Sequence, residues 1–321
     1  MVDRLSQFAP AIGVDLGGTK TAVGLVGSDG VEVIRRVETR PERGPDAVVA
    51  DIVSLIDEVG RDGREKPAAL GVGVAGQVSR DGVVVAAPNL PFKNEPLRQK
   101  LQDAIGLRVV VQNDVKAAAF GEWTAGAGRD VEDLVVVFVG TGVGGGVISG
   151  SRLLQGCHNN FGELGHITLV AGGRRCRCRN SGCIEAYCGG WAIAEIARAA
   201  VKEDPSRGSG LLKHSRGGDS LTASTVGEAC RNGDPLAREI MENVGRHLGA
   251  GLVGIVNAFN PCLLVLGGGV IEGTPELIEK VRSTIDSNAL EANLRGMKLE
   301  KAELGGSAGI IGAAALAQAA L

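Results

Sequence analysis

The chain lacks an excess of charge of either sign, a long apolar run and a secretion signal. Its 321 residues carry a formal net charge of −3, and both signs are mixed along the sequence. Such a balance gives no electrostatic basis for binding nucleic acid or a membrane surface. No apolar run reaches the length of a membrane span, and the N-terminus lacks the basic and apolar segments of a signal peptide. We therefore expect a cytoplasmic protein with neither nucleic acid nor a membrane as its partner.

What the chain does contain is typical of a soluble enzyme with two domains. Apolar residues make up 44% of the sequence, and its length is sufficient for two separate cores. Fifty glycines exceed the ordinary share and show no collagen period. They predict many tight turns and places where the backbone comes close to a ligand.

One segment combines thiols and an imidazole in a pattern typical of a metal site. The candidate ligands are His166, Cys176, Cys178 and Cys183. Three thiolates and one imidazole suit tetrahedral zinc, and four protein ligands leave no open position, so the site is predicted to be structural. The alternative is that these cysteines are small buried hydrophobes, but core packing does not produce such close clustering beside a histidine. Glu163 and Glu185 flank the set, and we expect the zinc to hold them towards a polar substrate.

A glycine corner joins the first two predicted strands. Apolar residues 11–16 and 21–27 predict buried strands, residues 31–37 predict a third, and the order is that of a β-meander. Asp15 interrupts the first strand, just before Gly17-Gly18-Thr19. The stretch from Gly13 resembles a phosphate-binding P-loop, but its lysine, Lys20, lies one residue too late. A strand pattern follows it where a P-loop requires a helix.

Residues 134–150 repeat the same plan of strand, glycine corner and strand. Gly140, Gly142 and Gly145 match the dinucleotide-binding pattern G-x-G-x-x-G, but that pattern must also be followed by a helix. Two such corners predict a duplicated architecture with two lobes, in which the backbone N–H groups of the corners can hold phosphate oxygens.

Seven motifs, in this order, resemble the ROK family of sugar kinases, and within it the bacterial glucokinases. They are DLGGTKT from Asp15, APNL from Ala87, ND at Asn113, GTGVGGG from Gly140, GELGH from Gly162, CRCRNSGCIE from Cys176 and LGGGV from Leu266. The resemblance runs from about Ile12 to the C-terminus. It implies an α/β, two-lobed, actin-like ATPase fold with ribonuclease H-like halves and a central cleft. We expect a small lobe over residues 1–120, joined by a helix at 307–321, and a large lobe with the zinc loop over residues 121–306.

By this resemblance the protein transfers a phosphoryl group from ATP, with Mg²⁺, to the 6-hydroxyl of a hexose, with glucose expected. Asp114 is the expected base, although its place at the start of a predicted helix is also typical of an N-cap. The expected hexose contacts are Gly76, Asn89, Asn113, Asp114, Glu163, His166 and Glu185. The residues expected to bind ATP and Mg²⁺ are Asp15, Gly17, Gly18, Thr19, Lys20, Gly140, Thr141, Gly142, Gly267, Gly268 and Gly269. The family likeness also implies a homodimer or homotetramer.

The chain departs from the family in the zinc loop, where Arg177 and Arg179 occupy positions that are usually glycine. If those positions need a positive φ, the arginines would be strained. Other readings stay open: another acceptor (N-acetylmannosamine, fructose, mannose or allose), polyphosphate as donor, a sugar-responsive transcription regulator, or a filament-forming relative of actin. The regulator is disfavoured because no DNA-binding segment is predicted before Ile12.

Overall fold

The computed structural model of the protein describes residues 9–215 and 220–321. It is a mixed α/β structure that divides into two compact units. The first unit takes in the chain up to Leu134, with Gly146–Gly162 and Ala302–Leu321, and the second takes in Val135–Gly145 and Glu163–Lys301. The lobe boundaries expected at residues 120 and 306 stay a prediction.

The strands and helices of the described residues have the following bounds. The strands are β1 Ala11–Leu16, β2 Lys20–Gly27, β3 Gly30–Glu38, β4 Ala69–Val74, β5 Gln77–Val78, β6 Val84–Ala86, β7 Lys93–Glu95, β8 Arg108–Asn113, β9 Leu134–Val139, β10 Val143–Ser149, β11 Arg152–Leu153, β12 Leu263–Gly267 and β13 Lys298–Lys301. The helices are α1 Pro45–Asp62, α2 Leu97–Ile105, α3 Asp114–Ala125, α4 Glu185–Cys188, α5 Gly190–Glu203, α6 Ser209–Lys213, α7 Ala223–Arg231, α8 Pro235–Phe259, α9 Gly269–Gly273, α10 Glu276–Asn288, α11 Glu291–Leu294 and α12 Ala308–Gln318.

The first unit is built on a five-stranded sheet in the order β3-β2-β1-β4-β8. The predicted meander is confirmed, since β1 pairs antiparallel with β2, and β2 pairs antiparallel with β3. Strand β4 pairs in parallel with both β1 and β8. The carboxyl ends of these three parallel strands therefore meet at one edge of the sheet, which is where α/β proteins place their ligands.

The C-terminal helix α12 packs against this sheet at very short range. A Cβ atom at Gly13 of β1 would overlap the carbonyl of Ile310, and one at Gly71 of β4 would overlap the carbonyl of Ala313. These glycines let the helix backbone touch the sheet, so the last residues of the chain complete the core formed by the first ones.

The second unit is built on a sheet in the order β11-β10-β9-β12-β13. Its strand–corner–strand motif over β9 and β10 is confirmed. The sequence of residues 235–259 predicts one long helix, and this is confirmed, because α8 has these bounds. Asp234 caps its first turn by accepting from the Ala237 N–H, and Asn260 ends it with a φ of 43°.

Local sequence pattern misleads at two segments beside the small sheet β5-β6-β7. The apolar run at residues 83–90 predicts a strand, but that strand extends only over β6, because Pro88 has no N–H to give to a ladder. The pattern of residues 94–106 predicts a helix from Asn94, but Lys93–Glu95 pairs with β6 as β7, and α2 begins only after Pro96. A residue before proline is restricted to extended conformations, which fits Glu95 as the end of a strand.

Among the described residues, none of the helices combines the length and the apolar character needed to cross a bilayer.

Candidate active-site residues and metal centre

Asp15 lies at the carboxyl-end edge of the first sheet, in β1, with its carboxyl group against the first turn of α12. A Cβ atom at Gly309 would lie 2.9 Å from the carboxyl carbon of Asp15. Burial and the negative charge of Asp114 raise the pKa of Asp15 to about 6, against the lowering effect of Arg36. The surroundings of Asp15 thus disfavour its ionised form, and a bound cation would stabilise the carboxylate.

Asn113 and Asp114 follow β8 at the same edge, and the structure assigns them different roles in the helix start. Asn113 is the N-cap of α3, because its Oδ1 accepts from the Lys116 N–H at 3.1 Å. Its Nδ2 donates to Asp114 Oδ1 at 2.9 Å and to the Gly76 carbonyl at 3.2 Å. The N-cap interpretation of Asp114 is thus wrong, since Asp114 is the first residue inside the helix and its carboxylate is oriented by the cap residue.

The first glycine corner lies against the loop that carries Asn89. Gly17 closes the corner by donating its N–H to the Lys20 carbonyl at 3.0 Å. A Cβ atom at Gly18 would overlap the side chain of Asn89. Gly18, Thr19 and Asn89 line one open cavity of about 500 Å³, so a predicted phosphate contact and a predicted sugar contact share it.

A buried polar network in the first unit was not predicted. Lys116 is only 2% exposed and donates through Nζ to the Asn159 carbonyl at 2.5 Å. The side chains of Asn159 and Gln112 exchange two hydrogen bonds of 3.0 and 3.1 Å, and Asn159 also donates to the Val78 carbonyl. The network thus holds the segment around Asn159 against Gln112 and Lys116, which lie on either side of Asn113-Asp114 in the sequence. A lysine on the first turn after Asn113-Asp114 is the one signal that the sequence offered.

The second glycine corner opens onto a cavity of about 730 Å³ within the second unit. Gly140 and Thr141 line it from the corner, and Gly269 lines it from the turn after β12. Gly267 ends β12, and Gly268 makes the turn with a φ of 90°, where a Cβ atom would lie 2.6 Å from the Val139 carbonyl oxygen. The three predicted glycines therefore differ, since only Gly269 faces the cavity and the other two shape the backbone.

Helix α5 and the segment before α7 complete this cavity, and sequence reasoning missed both. Arg198 of α5 donates to the Leu221 carbonyl at 2.8 Å, which joins the two walls. The further lining residues are Gly190, Trp191, Ala194, Ser220, Thr222, Ala223, Ser224 and Val270. Their sequence offers no nucleotide-binding motif, because they come together only through packing.

Glu185 begins α4 beside the second corner and has two donors in the second unit. The Val143 N–H donates to Oε2 at 3.0 Å, and the Trp191 indole N–H donates to Oε1 at 3.1 Å. A Cβ atom at Gly142 would overlap Oε2, so only glycine permits this approach. Glu163 is exposed and begins the turn that carries His166, whose N–H donates to the Glu163 carbonyl at 3.0 Å.

The predicted metal ligands come together. The ligand atoms of His166, Cys176, Cys178 and Cys183 all lie within 4.8 Å of one another. Burial raises the pKa of the Cys176 thiol to about 12, so in the absence of a cation this sulfur holds its proton. A soft divalent cation would favour the thiolate, and the three sulfurs with one imidazole fit zinc. The residues present therefore fit the group that the sequence predicted.

The arginines of this loop are not strained. Among the described residues, positive φ outside glycine occurs at Asn94, Ser151, Asn159 and Asn260, and at neither Arg177 nor Arg179. The left-handed positions in the loop are instead Gly172 and Gly182. The loop thus keeps its turns on glycines, and the Arg177 side chain pairs with Glu195 at 3.1 Å.

Comparisons with known proteins agree with this architecture. A glucokinase of Streptomyces coelicolor is 35% identical over 310 residues, which cover 96% of this chain and 97% of that protein. The crystal structure of a ROK family glucokinase from Streptomyces griseus, in complex with glucose and AMPPNP, is 34% identical with a TM-score of 0.84, and the match covers 97% of this chain and 100% of that one. The N-acetylglucosamine repressor of Escherichia coli is 32% identical over 299 residues, covering 92% of this chain and 72% of that protein.

The two sheets and the glycine corners define a protein of the actin-like ATPase class, and the predicted fold is confirmed. The family profile matches residues 11–320, and the chain belongs to the ROK family.

Proposed function

We propose that this glucokinase-like, ATP-dependent sugar kinase phosphorylates glucose at the 6-hydroxyl, with Asp114 as the base. The observation that carries the proposal is the arrangement around Asp114, whose Oδ1 accepts from the Asn113 side chain at the sheet edge that also carries Asp15. The similarity to the Streptomyces glucokinases, which extends over nearly the whole chain, supports glucose as the acceptor.

In the proposed reaction the sugar hydroxyl attacks the γ-phosphorus of ATP as its proton passes to Asp114, and ADP leaves. Phosphoryl transfer of this kind depends on an oriented hydroxyl and on groups that stabilise the negative charge of the phosphates. The N–H groups of the corners at Gly17–Thr19 and Gly140–Gly142 are proposed to cover the phosphates. Asp15 is proposed to hold Mg²⁺ through water, and the ion would neutralise phosphate charge.

The remaining assignments concern sugar selection. Asn89, Asn113, Glu163, His166 and Glu185 are proposed to bond the sugar hydroxyls, with Gly76 allowing close approach. Glu185 is held by the Val143 and Trp191 N–H groups, so its carboxylate is fixed in place and an epimer with a misplaced hydroxyl would lose this hydrogen bond. Zinc on His166 and the three cysteines would supply a fixed loop, and the chemistry stays with the chain's own groups.

A sugar-panel assay tests the proposal. Phosphorylation of glucose, mannose, fructose, allose and N-acetylmannosamine is measured with ATP and with polyphosphate, and glucose with ATP is expected to give the highest kcat/KM. Asp114→Asn is expected to lower kcat by about 10²- to 10⁴-fold with an unchanged circular dichroism spectrum. Near-normal turnover in Asp114→Asn would remove the base assignment, and a preference for another sugar would replace glucose.

A further inference from the structure

Trp191 lies where three functional features of the second unit meet. Its side chain is 8% exposed and packs in one apolar cluster with Cys176 and Cys183 of the metal loop. Its indole N–H donates to Glu185 Oε1, and its backbone N–H donates to the Thr141 carbonyl at 3.0 Å. The same residue lines the cavity of about 730 Å³ beside Thr141. One residue thus contacts the metal loop, a proposed sugar carboxylate and the proposed nucleotide cavity.

Arg177 fixes the indole from the side of the metal loop. Its guanidinium carbon lies 4.5 Å from the centre of the Trp191 ring, within the range of a cation–π interaction. The carboxylate of Glu195 accepts from the same guanidinium at 3.1 Å and so holds it over the ring. Since Arg177 lies between the ligands Cys176 and Cys178, its backbone position depends on the folded metal loop.

We propose that Trp191 is a positioning residue through which the metal loop acts on both substrates, and that Arg177 holds it in place. This proposal rests on the proposed function, since the proposed function assigns the sugar to Glu185 and the nucleotide to the cavity. The two carboxylate oxygens of Glu185 have different donors. Oε2 accepts from the Val143 N–H, whereas Oε1 accepts from the Trp191 indole N–H, its one donor of ordinary length among the described residues. The only other donor to that oxygen among the described residues, the Cys176 thiol, lies 3.8 Å away and is weak.

Loss of the metal is therefore predicted to weaken the binding of both substrates through Arg177 and Trp191. Without metal the loop releases Arg177, the indole is no longer covered, and its N–H ceases to orient the Glu185 carboxylate. The wall of the cavity beside Thr141 loosens at the same time. If the metal loop only stabilised the fold, a variant that lacks Arg177 but still binds the metal would keep the emission and the KM values of the wild type.

Tryptophan fluorescence tests this route without reliance on activity. The sequence has two tryptophans, so Trp191 is the sole reporter in a Trp123→Phe background. In that background Arg177→Met is expected to retain its metal yet show emission shifted to longer wavelength, because the ring loses its cover. Arg175→Met is the matched control, since Arg175 bonds the Arg179 carbonyl inside the loop, and its emission is expected to stay unchanged. Metal content is measured for each variant.

Steady-state kinetics give the second arm. Trp191→Phe removes the N–H to Glu185 and is expected to raise the KM for sugar about tenfold or more, as for the loss of a hydrogen bond to a charged group. Arg177→Met is expected to raise the KM values for sugar and ATP about two- to fivefold. The effects of the two changes should not add in the double variant, because Arg177 acts through the ring.

Each outcome decides the inference. Additive effects in the double variant would overturn it. Unchanged emission and KM in a metal-loaded Arg177→Met protein would also overturn it, and that result can be read even if Trp191→Phe fails to fold. A wild-type protein that phosphorylates no hexose would instead count against the proposed function, and the emission of Arg177→Met would still be read independently.

Discussion

The carboxyl group of Asp15 shares the carboxyl-end edge of one sheet with that of Asp114, and the two repel each other when ionised. Burial contributes most, and the charge of Asp114 next, to a pKa of about 6 for Asp15. An aspartate in an unfolded chain ionises near pH 3.8. The burial of Asp15 and its repulsion by Asp114 therefore lower the stability of the protein near neutral pH. Such perturbed groups are common where a cation or a substrate binds.

Asp15→Asn is expected to stabilise the protein at pH 8 in buffer without divalent cations. Because the folded pKa of Asp15 lies above its unfolded value, its contribution to stability is fully present below pH 3.8 and is lost as pH rises through 6. The difference amounts to a gain on the order of 3 kcal/mol for the variant at pH 8, and to little at pH 4. Urea unfolding of both proteins at the two pH values measures it. A stability difference that does not change with pH would show that the Asp15 pKa is not raised.

Gly309→Ala is expected to abolish most activity with a modest loss of stability. The new Cβ would lie 2.9 Å from the Asp15 carboxyl carbon, so this side chain must move from the sheet edge. Gly306→Ala is the matched control, because a Cβ there meets no atom within 4 Å. Turnover at saturating ATP and Mg²⁺ is compared for the two variants. Equal activity in both would mean that the position of Asp15 against α12 does not matter for turnover.

Besides its proposed sugar contact, Asn113 caps α3 and orients Asp114, and a pair of variants separates these two roles. Asn113→Ser keeps an oxygen that can cap α3, and so is expected to unfold within about 0.5 kcal/mol of the wild type. Asn113→Ala lacks the cap acceptor for the Lys116 N–H and is expected to lose about 1 kcal/mol. Both variants lack the amide N–H that donates to Asp114 Oδ1, and the shorter serine hydroxyl is needed for the cap, so both are expected to lose turnover similarly. Normal turnover in Asn113→Ser would show that this hydrogen bond does not orient the base.

The metal centre gives a further test. The purified protein is expected to contain about one zinc per chain, held by four protein ligands. Cys183→Ser is expected to lose the metal and to lower the melting temperature, whereas Cys157→Ser, at an exposed cysteine outside the cluster, is expected to keep both. Metal analysis with thermal unfolding measures the pair. Freshly purified, active wild-type protein without zinc would contradict the assignment.

The sequence by itself determined the two strand–corner–strand motifs, the long helix α8 and the chemistry of the metal loop. Apolar periodicity and glycine corners predicted the meander β1–β3, the repeat at β9 and β10, and the limits of α8, because these depend on local spacing and turn geometry. The thiol and imidazole spacing likewise predicted a four-ligand cluster, since ligands on one short loop need little help from the rest of the fold.

Only the tertiary structure decided which residues act on one another across distant segments. Asn113 rather than Asp114 caps α3, and Asn159 reaches the network of Gln112 and Lys116 from another segment. Trp191 gained its contacts with Glu185 and Arg177 in the same way. Hydrogen bonds and ring contacts of this kind depend on rotamers and on burial, which packing fixes and which no local pattern in the sequence records.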